Sequence, residues 1–194
     1  LGLNVTVFVA QNAFPPLTPL LGLVPGRTLI APWTLLTYAF LHASVGHLLF
    51  NMLLLYFFGG DLDKFLGRAR FLILYLGGAL TGGAAAALFL PPGTVVLGAS
   101  AALYALLTAF YFYFPETEIL VWFVLPVKLR VVLLVLLAVS LFYSVFGSTD
   151  GVAHLAHLGG MAFAFLYVFR AWRPAALIRD MKYRWRRRRF TRIQ

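Results

Sequence analysis

From residue 71 to residue 90 the chain reads FLILYLGGALTGGAAAALFL, twenty consecutive positions without a charged side chain. A helix of about that length spans the roughly 30 Å hydrocarbon core of a bilayer, and a helix satisfies its backbone polar groups within its own segment. Similar runs go from about His47 to Gly60, continued by DLDKFLGRAR, from Arg130 to Phe146, and from His154 to Trp172. Composition agrees: 62% of the chain is hydrophobic and 11% charged, with a mean hydropathy of +0.89, far from the balance of a soluble domain. The expected class is therefore an all-α polytopic membrane protein. With no cysteine, disulfides, zinc–thiolate sites and thiol catalysis are excluded.

Two further segments complete the set. LGLNVTVFVAQNAF is too short to cross a bilayer alone and reads as the C-terminal part of a first helix. It lacks the basic start and small-residue cleavage site of a signal peptide. Pro15 to Trp33, rich in Pro and Gly, is too long and broken for a simple turn and is expected to be a long first extramembrane loop. After PPG, a fourth helix is expected to start near Ser100 and stop before Pro115, short for a full crossing. Its start should lie below the membrane surface, reached by a loop sheltered by other helices. The expectation is six spans in one domain, residues 1–172, followed by a tail, residues 173–194.

Charge orients these spans. Of 16 Lys and Arg, all but Arg27 fall between spans two and three, between four and five, or at and after the end of span six. The positive-inside rule then places those loops and the C-terminus in the cytoplasm. The tail RDMKYRWRRRRFTRIQ carries most of the net +10. Directly after a span it is read as a stop-transfer signal and an anchor to anionic lipid headgroups, rather than as a nucleic-acid arm.

Polar residues inside spans are costly to bury and are default functional candidates. His47 and Asn51 are four apart, on one face of span two; Ser100 and Tyr104 are four apart on span four; His154 and His157 open span six. By the topology, His47, Ser100 and both late histidines lie at the non-cytoplasmic ends. A serine hydroxyl needs a neighbouring base to become a nucleophile, and histidine can take and return its proton. An Asn amide, a His N–H and a backbone N–H at a helix N-terminus can all stabilise an oxyanion. No carboxylate lies in the spans and Asp150 is the only acid on that side, which favours a Ser-His dyad over a triad.

WTLLTYAFLHASVGHLLFNMLLLYFFGG, GASAALYALL and AHLGGMAFAF resemble, in order and spacing, the signature segments of the rhomboid intramembrane serine proteases. The resemblance covers residues 1 to 172 and implies a six-helix rhomboid-like bundle with no cofactor and no metal. It implies Ser100 as nucleophile, His157 as general base, and His47, Asn51 and the Ser100 N–H as the oxyanion hole. Tyr104 would pack on the His157 ring and Gly98 would shape the loop before the serine. His42 and His154 would be supporting residues, His154 serving mainly as a polar helix start. The substrate would be another transmembrane helix, cut near the membrane surface. The location implied is a prokaryotic plasma membrane, with the active site open to the non-cytoplasmic side.

Three positions depart from the family's pattern. Glycine usually follows the nucleophile, and Ala101 stands here; Trp-Arg in the first loop is Trp33-Thr34; a second glycine of span six is Ala164. Ala101 is expected to reduce clearance without abolishing activity. Gly159, Gly160 and Ala162 facing Ala101, Ala102 and Ala105 should let spans four and six approach closely. Gly77, Gly78, Gly82 and Gly83 of span three read as close-packing sites rather than a ligand loop. The competing readings are a rhomboid-like pseudoprotease that binds transmembrane helices without cutting them, and a metal transporter using His42, His47, His154 and His157. The latter would be expected to carry carboxylates at mid-membrane.

Overall fold

The computed structural model describes residues 1–121, 124–147 and 152–171. Helix α1 covers Gly2–Ala13. The first loop then folds on itself through a short helix α2 (Leu17–Leu21), a 3-10 turn at Pro25–Arg27, a further short helix α3 (Thr34–Thr37) and a second 3-10 turn at Tyr38–Phe40. It is held by side-chain bonds to backbone carbonyls. Trp33 Nε1 donates to Leu20 O at 2.9 Å, Thr37 Oγ1 to Leu21 O at 2.7 Å, and Thr34 Oγ1 to Ala31 O at 2.6 Å. The loop is thus anchored with threonine after Trp33.

Helix α4 (Val45–Leu54) starts two residues earlier than the apolar run suggests, because Ser44 caps it by accepting from His47 N at 3.1 Å. It continues through a π-helical turn at Leu55–Gly59 into α5 (Gly60–Leu66). Gly67, at φ +83°, reverses the chain in one residue, a backbone region glycine enters without strain. Helix α6 (Arg68–Phe89) runs back. The charges Asp61, Asp63, Lys64 and Arg68 gather at this end, with Arg68 and Asp63 3.2 Å apart.

Helix α7 (Ser100–Tyr113) is the core of the bundle: Ala101, Ala102, Leu103 and every residue from 105 to 110 are buried. It packs against α6 and against α9 (His154–Ala171), while α8 (Leu129–Phe146) buries only Leu129, Leu133 and Ser140 and lies at the edge. Between α7 and α8, where no element is expected, an antiparallel pair forms, β1 (Glu118–Val121) with β2 (Leu125–Lys128), in register Glu118 to Lys128. Its ends are tied by Lys128 and Glu116, 3.5 Å apart. The fold is thus a helical bundle carrying, among the described residues, one small hairpin.

Three helical stretches among the described residues are long and apolar enough to cross a membrane: Val45–Leu66, Arg68–Phe89 and Leu129–Phe146. The count of six expected from sequence is not met at this level. Helix α1 holds 12 residues and α7 holds 14; α9 has 18 but opens on two histidines and ends with Arg170 in its last turn. The protein is a multi-pass membrane bundle. The basic tail, residues 173–194, lies outside the described residues.

Glycine contacts explain how α6, α7 and α9 come so close. A methyl group at Gly82 would stand 2.5 Å from the Ala101 Cβ and 2.7 Å from Ala156 O; at Gly78 it would meet the Ala105 Cβ, and at Gly160 the Ala101 carbonyl. Gly77 and Gly83 likewise take Phe163 and the Leu35 carbonyl, so all four α6 glycines are packing sites. The expected small-residue face of α9 needs one correction. Gly159 faces α6, at Thr81 and Ala85, and Ala162 is exposed, so Gly160 makes the backbone approach to α7.

Candidate active site

The loop before α7 is pinned to the first loop at three points, the outermost being Gly26 N, which donates to Pro92 O at 3.2 Å. Leu23 and Val96 exchange backbone hydrogen bonds of 3.0 and 2.8 Å, and Gly98 N donates to Tyr38 O at 3.0 Å. Tyr38 is itself fixed by its hydroxyl, which donates to Ala79 O on α6 at 2.8 Å. These contacts set Ser100 at the first position of α7, so its backbone N–H is not consumed by the helix. Gly98 has φ +121°, and a Cβ there would sit 2.6 Å from His47 Cε1 and 2.8 Å from Nε2. Glycine is therefore required twice over, by the backbone and by the imidazole lying against it.

Ser100 and His157 meet across the α7–α9 seam. Ser100 Oγ lies 2.8 Å from His157 Nε2, although 57 residues separate them in sequence. The Tyr104 ring, one turn along α7, stacks on the His157 ring at a centroid distance of 4.1 Å and 16° between planes. This fixes the plane of the imidazole whose Nε2 faces the hydroxyl.

His47 and Asn51 lie one turn apart on α4. The Ala43 N–H donates to His47 Nδ1 at 3.4 Å. With Nδ1 accepting, the proton of the neutral ring belongs on Nε2, the nitrogen turned toward Gly98. Asn51 is buried; one N–H of its amide goes to His47 O at 3.0 Å, and the second hydrogen of that nitrogen remains to donate elsewhere. Three N–H donors thus come from two chain segments: Ser100 N, His47 Nε2 and Asn51 Nδ2.

His42 is fully buried, 5.1 Å from the His47 ring in an edge-on arrangement. Its backbone is clamped by Gln11, whose amide donates to His42 O at 2.7 Å and accepts from His42 N at 3.0 Å. Burial, and secondarily the His47 ring, push its pKa down to about 4, so this imidazole is neutral at pH 7. His154 is also buried, with its ring 5.9 Å from that of His157 and stacked on Tyr143 of α8 at 4.9 Å and 22°. It is thus a packed residue rather than a solvated helix start. Asp150 lies outside the described residues.

Gln11, Tyr38 and Tyr143 support the cluster and were not picked out from sequence. Each works through a partner that only folding supplies, two of them through backbone carbonyls. Among the described residues, no group of three or more His, Cys, Asp or Glu side chains could hold a metal ion.

The rhomboid domain family matches residues 31–174 of the chain. The chain is 38% identical over 80 residues to the putative rhomboid protease YdcA of Bacillus subtilis, covering 41% of this chain and 40% of that protein. It is 35% identical over 138 residues to RHOMBOID-like protein 4 of Arabidopsis thaliana (71% and 33% covered) and 31% identical over 140 residues to rhomboid protease GlpG of Serratia proteamaculans (71% and 47% covered). The chain spans less than half the length of each of these relatives.

Proposed function

The chain belongs to the rhomboid family, and on that premise we propose that it is an intramembrane serine endopeptidase that cuts peptide bonds in or near transmembrane segments of other membrane proteins. The observation that carries this reading is the 2.8 Å approach of Ser100 Oγ to His157 Nε2 at the start of a buried helix. His157 takes the Ser100 proton as the oxygen attacks a substrate carbonyl, giving a tetrahedral oxyanion. Ser100 N–H, His47 Nε2–H and Asn51 Nδ2–H donate to that oxyanion. His157 then passes the proton to the leaving amine, and water, activated by the same imidazole, releases the acyl group from Ser100.

The membrane arrangement belongs to the same reading. Residues 1–172 form a six-helix domain in which the short helices α1 and α7 and the histidine-bearing α9 join the three long spans. The basic tail lies in the cytoplasm against anionic headgroups, and the site opens to the opposite side. Neither a pseudoprotease nor a transporter is favoured, since nucleophile and base are both present in hydrogen-bonding geometry. The test is purified protein in liposomes with a labelled transmembrane substrate, together with a fluorophosphonate probe. Cleavage and labelling should both be lost in Ser100→Ala. Cleavage that survives in this variant would overturn the assignment of the nucleophile.

A further inference from the structure

Away from this site, α8 leans on α9 and leaves a groove of about 630 Å³ between α7, α8 and α9. Its walls are Leu137 and Leu141 of α8, Phe112 of α7, and Met161 and Phe165 of α9. Charge is confined to the end where α7 finishes and α8 begins. Arg130 lines the groove there, is exposed, and pairs with no carboxylate among the described residues. The other polar side chains on the wall are Tyr111 and Thr108, and the Thr108 hydroxyl already donates to Tyr104 O at 2.7 Å. Beyond Leu141 the stack of Tyr143 on His154 ties α8 to α9.

We propose that this groove holds one acyl chain of an anionic phospholipid whose phosphate sits on Arg130. The dimensions select that occupant. From Arg130 to Leu141 is eleven residues, about 16 Å of helix, which matches the ~15 Å depth of a single leaflet. A single cation at the headgroup level, with an apolar channel running inward from it, complements an anionic headgroup and its chain. In the orientation proposed above, the lipid comes from the cytoplasmic leaflet.

Native mass spectrometry of the full chain, released from detergent with equal phosphatidylglycerol and phosphatidylcholine, tests this. Wild type should retain one phosphatidylglycerol in preference to phosphatidylcholine. Arg130→Gln should reduce that preference at least fivefold. Ala162→Phe, which places a ring in the groove from the exposed side of α9, should displace both lipids, while Val135→Phe, outside the groove, should displace neither. Thermal melting of each variant establishes that it is folded. Unchanged retention in both Arg130→Gln and Ala162→Phe would overturn the proposal and assign the lipid to the basic tail or the general annulus. A dimer that Ala162→Phe converts to monomer would also overturn it, in favour of a second copy of the chain in the groove.

Discussion

Ser100 Oγ and His157 Nε2 are 2.8 Å apart on two helices that approach closely because Gly160 has no side chain to hold the Ala101 backbone away. A nucleophile and base that act as one unit have strongly non-additive losses. Ser100→Ala, His157→Ala and the double variant should therefore all fall to the same floor, at least about a thousandfold below wild type in kcat. Initial rates on a labelled transmembrane substrate measure this. A double variant much slower than either single one would mean the two residues act separately.

The stack of Tyr104 on His157 concerns a ring, not a hydroxyl. Tyr104→Phe should keep kcat near wild type, while Tyr104→Leu should lower it by up to about tenfold, the loss of an aromatic pair worth ~0.5–1.5 kcal/mol. KM should change little in both, the result expected of a ring that acts through the His157 imidazole alone. Steady-state kinetics on the two variants separate these outcomes.

Gly98→Ala meets both a positive φ and the His47 ring. The expected result is about a hundredfold or greater loss of kcat, the size associated with losing one oxyanion donor. Backbone strain of ~1–3 kcal/mol should also lower the melting temperature. A folded variant with full activity would show that His47 need not occupy its place against residue 98.

Ala101 stands where the family usually has glycine, and Gly82 of α6 makes room for its methyl group. The expected loss of clearance is thus absorbed on the neighbouring helix. Ala101→Gly should leave activity near wild type and destabilise by about 1 kcal/mol, chiefly through helix propensity. Gly82→Ala should cost ~1–3 kcal/mol by overpacking, and combining the two should recover part of that loss. Thermal unfolding of the three variants gives the coupling.

His42 is buried and neutral, with its pKa pushed down to about 4. The unfolded chain binds a proton at this residue near pH 6.5 and the folded chain only near pH 4, so stability is full above pH 6.5 and is lost as pH falls toward 4. The loss should be at most about 3 kcal/mol. Wild type should lose more stability over this window than His42→Phe, as read by melting temperature at pH 7, 5.5 and 4.5. Parallel curves would show that protonation of His42 does not drive the loss.

Much of the protein was legible in its sequence, for physical reasons. Long apolar runs can only be buried in lipid or protein, so the all-helical membrane class and the helix positions followed from hydropathy. Ser100, His157, His47 and Asn51 stood out because a polar side chain in such a run is expensive, and helical spacing already put two of the pairs on common faces. The hairpin between α7 and α8 was not legible, since Glu118–Val121 and Leu125–Lys128 are too short for a period-2 pattern to register. Ala162 was placed on the wrong face because a run of small residues does not say which of them meets the neighbour.

The sequence by itself determined what kind of chain this is and which few side chains could carry chemistry, because those follow from composition and local period. Only the tertiary structure decided the separations that matter: 2.8 Å between Ser100 and His157, the stack of Tyr104, and the fit of the His47 ring against Gly98. These depend on how deeply α6, α7 and α9 interlock. That depth is set by individual glycines against particular backbone atoms, contacts between residues far apart in the chain that no local pattern encodes.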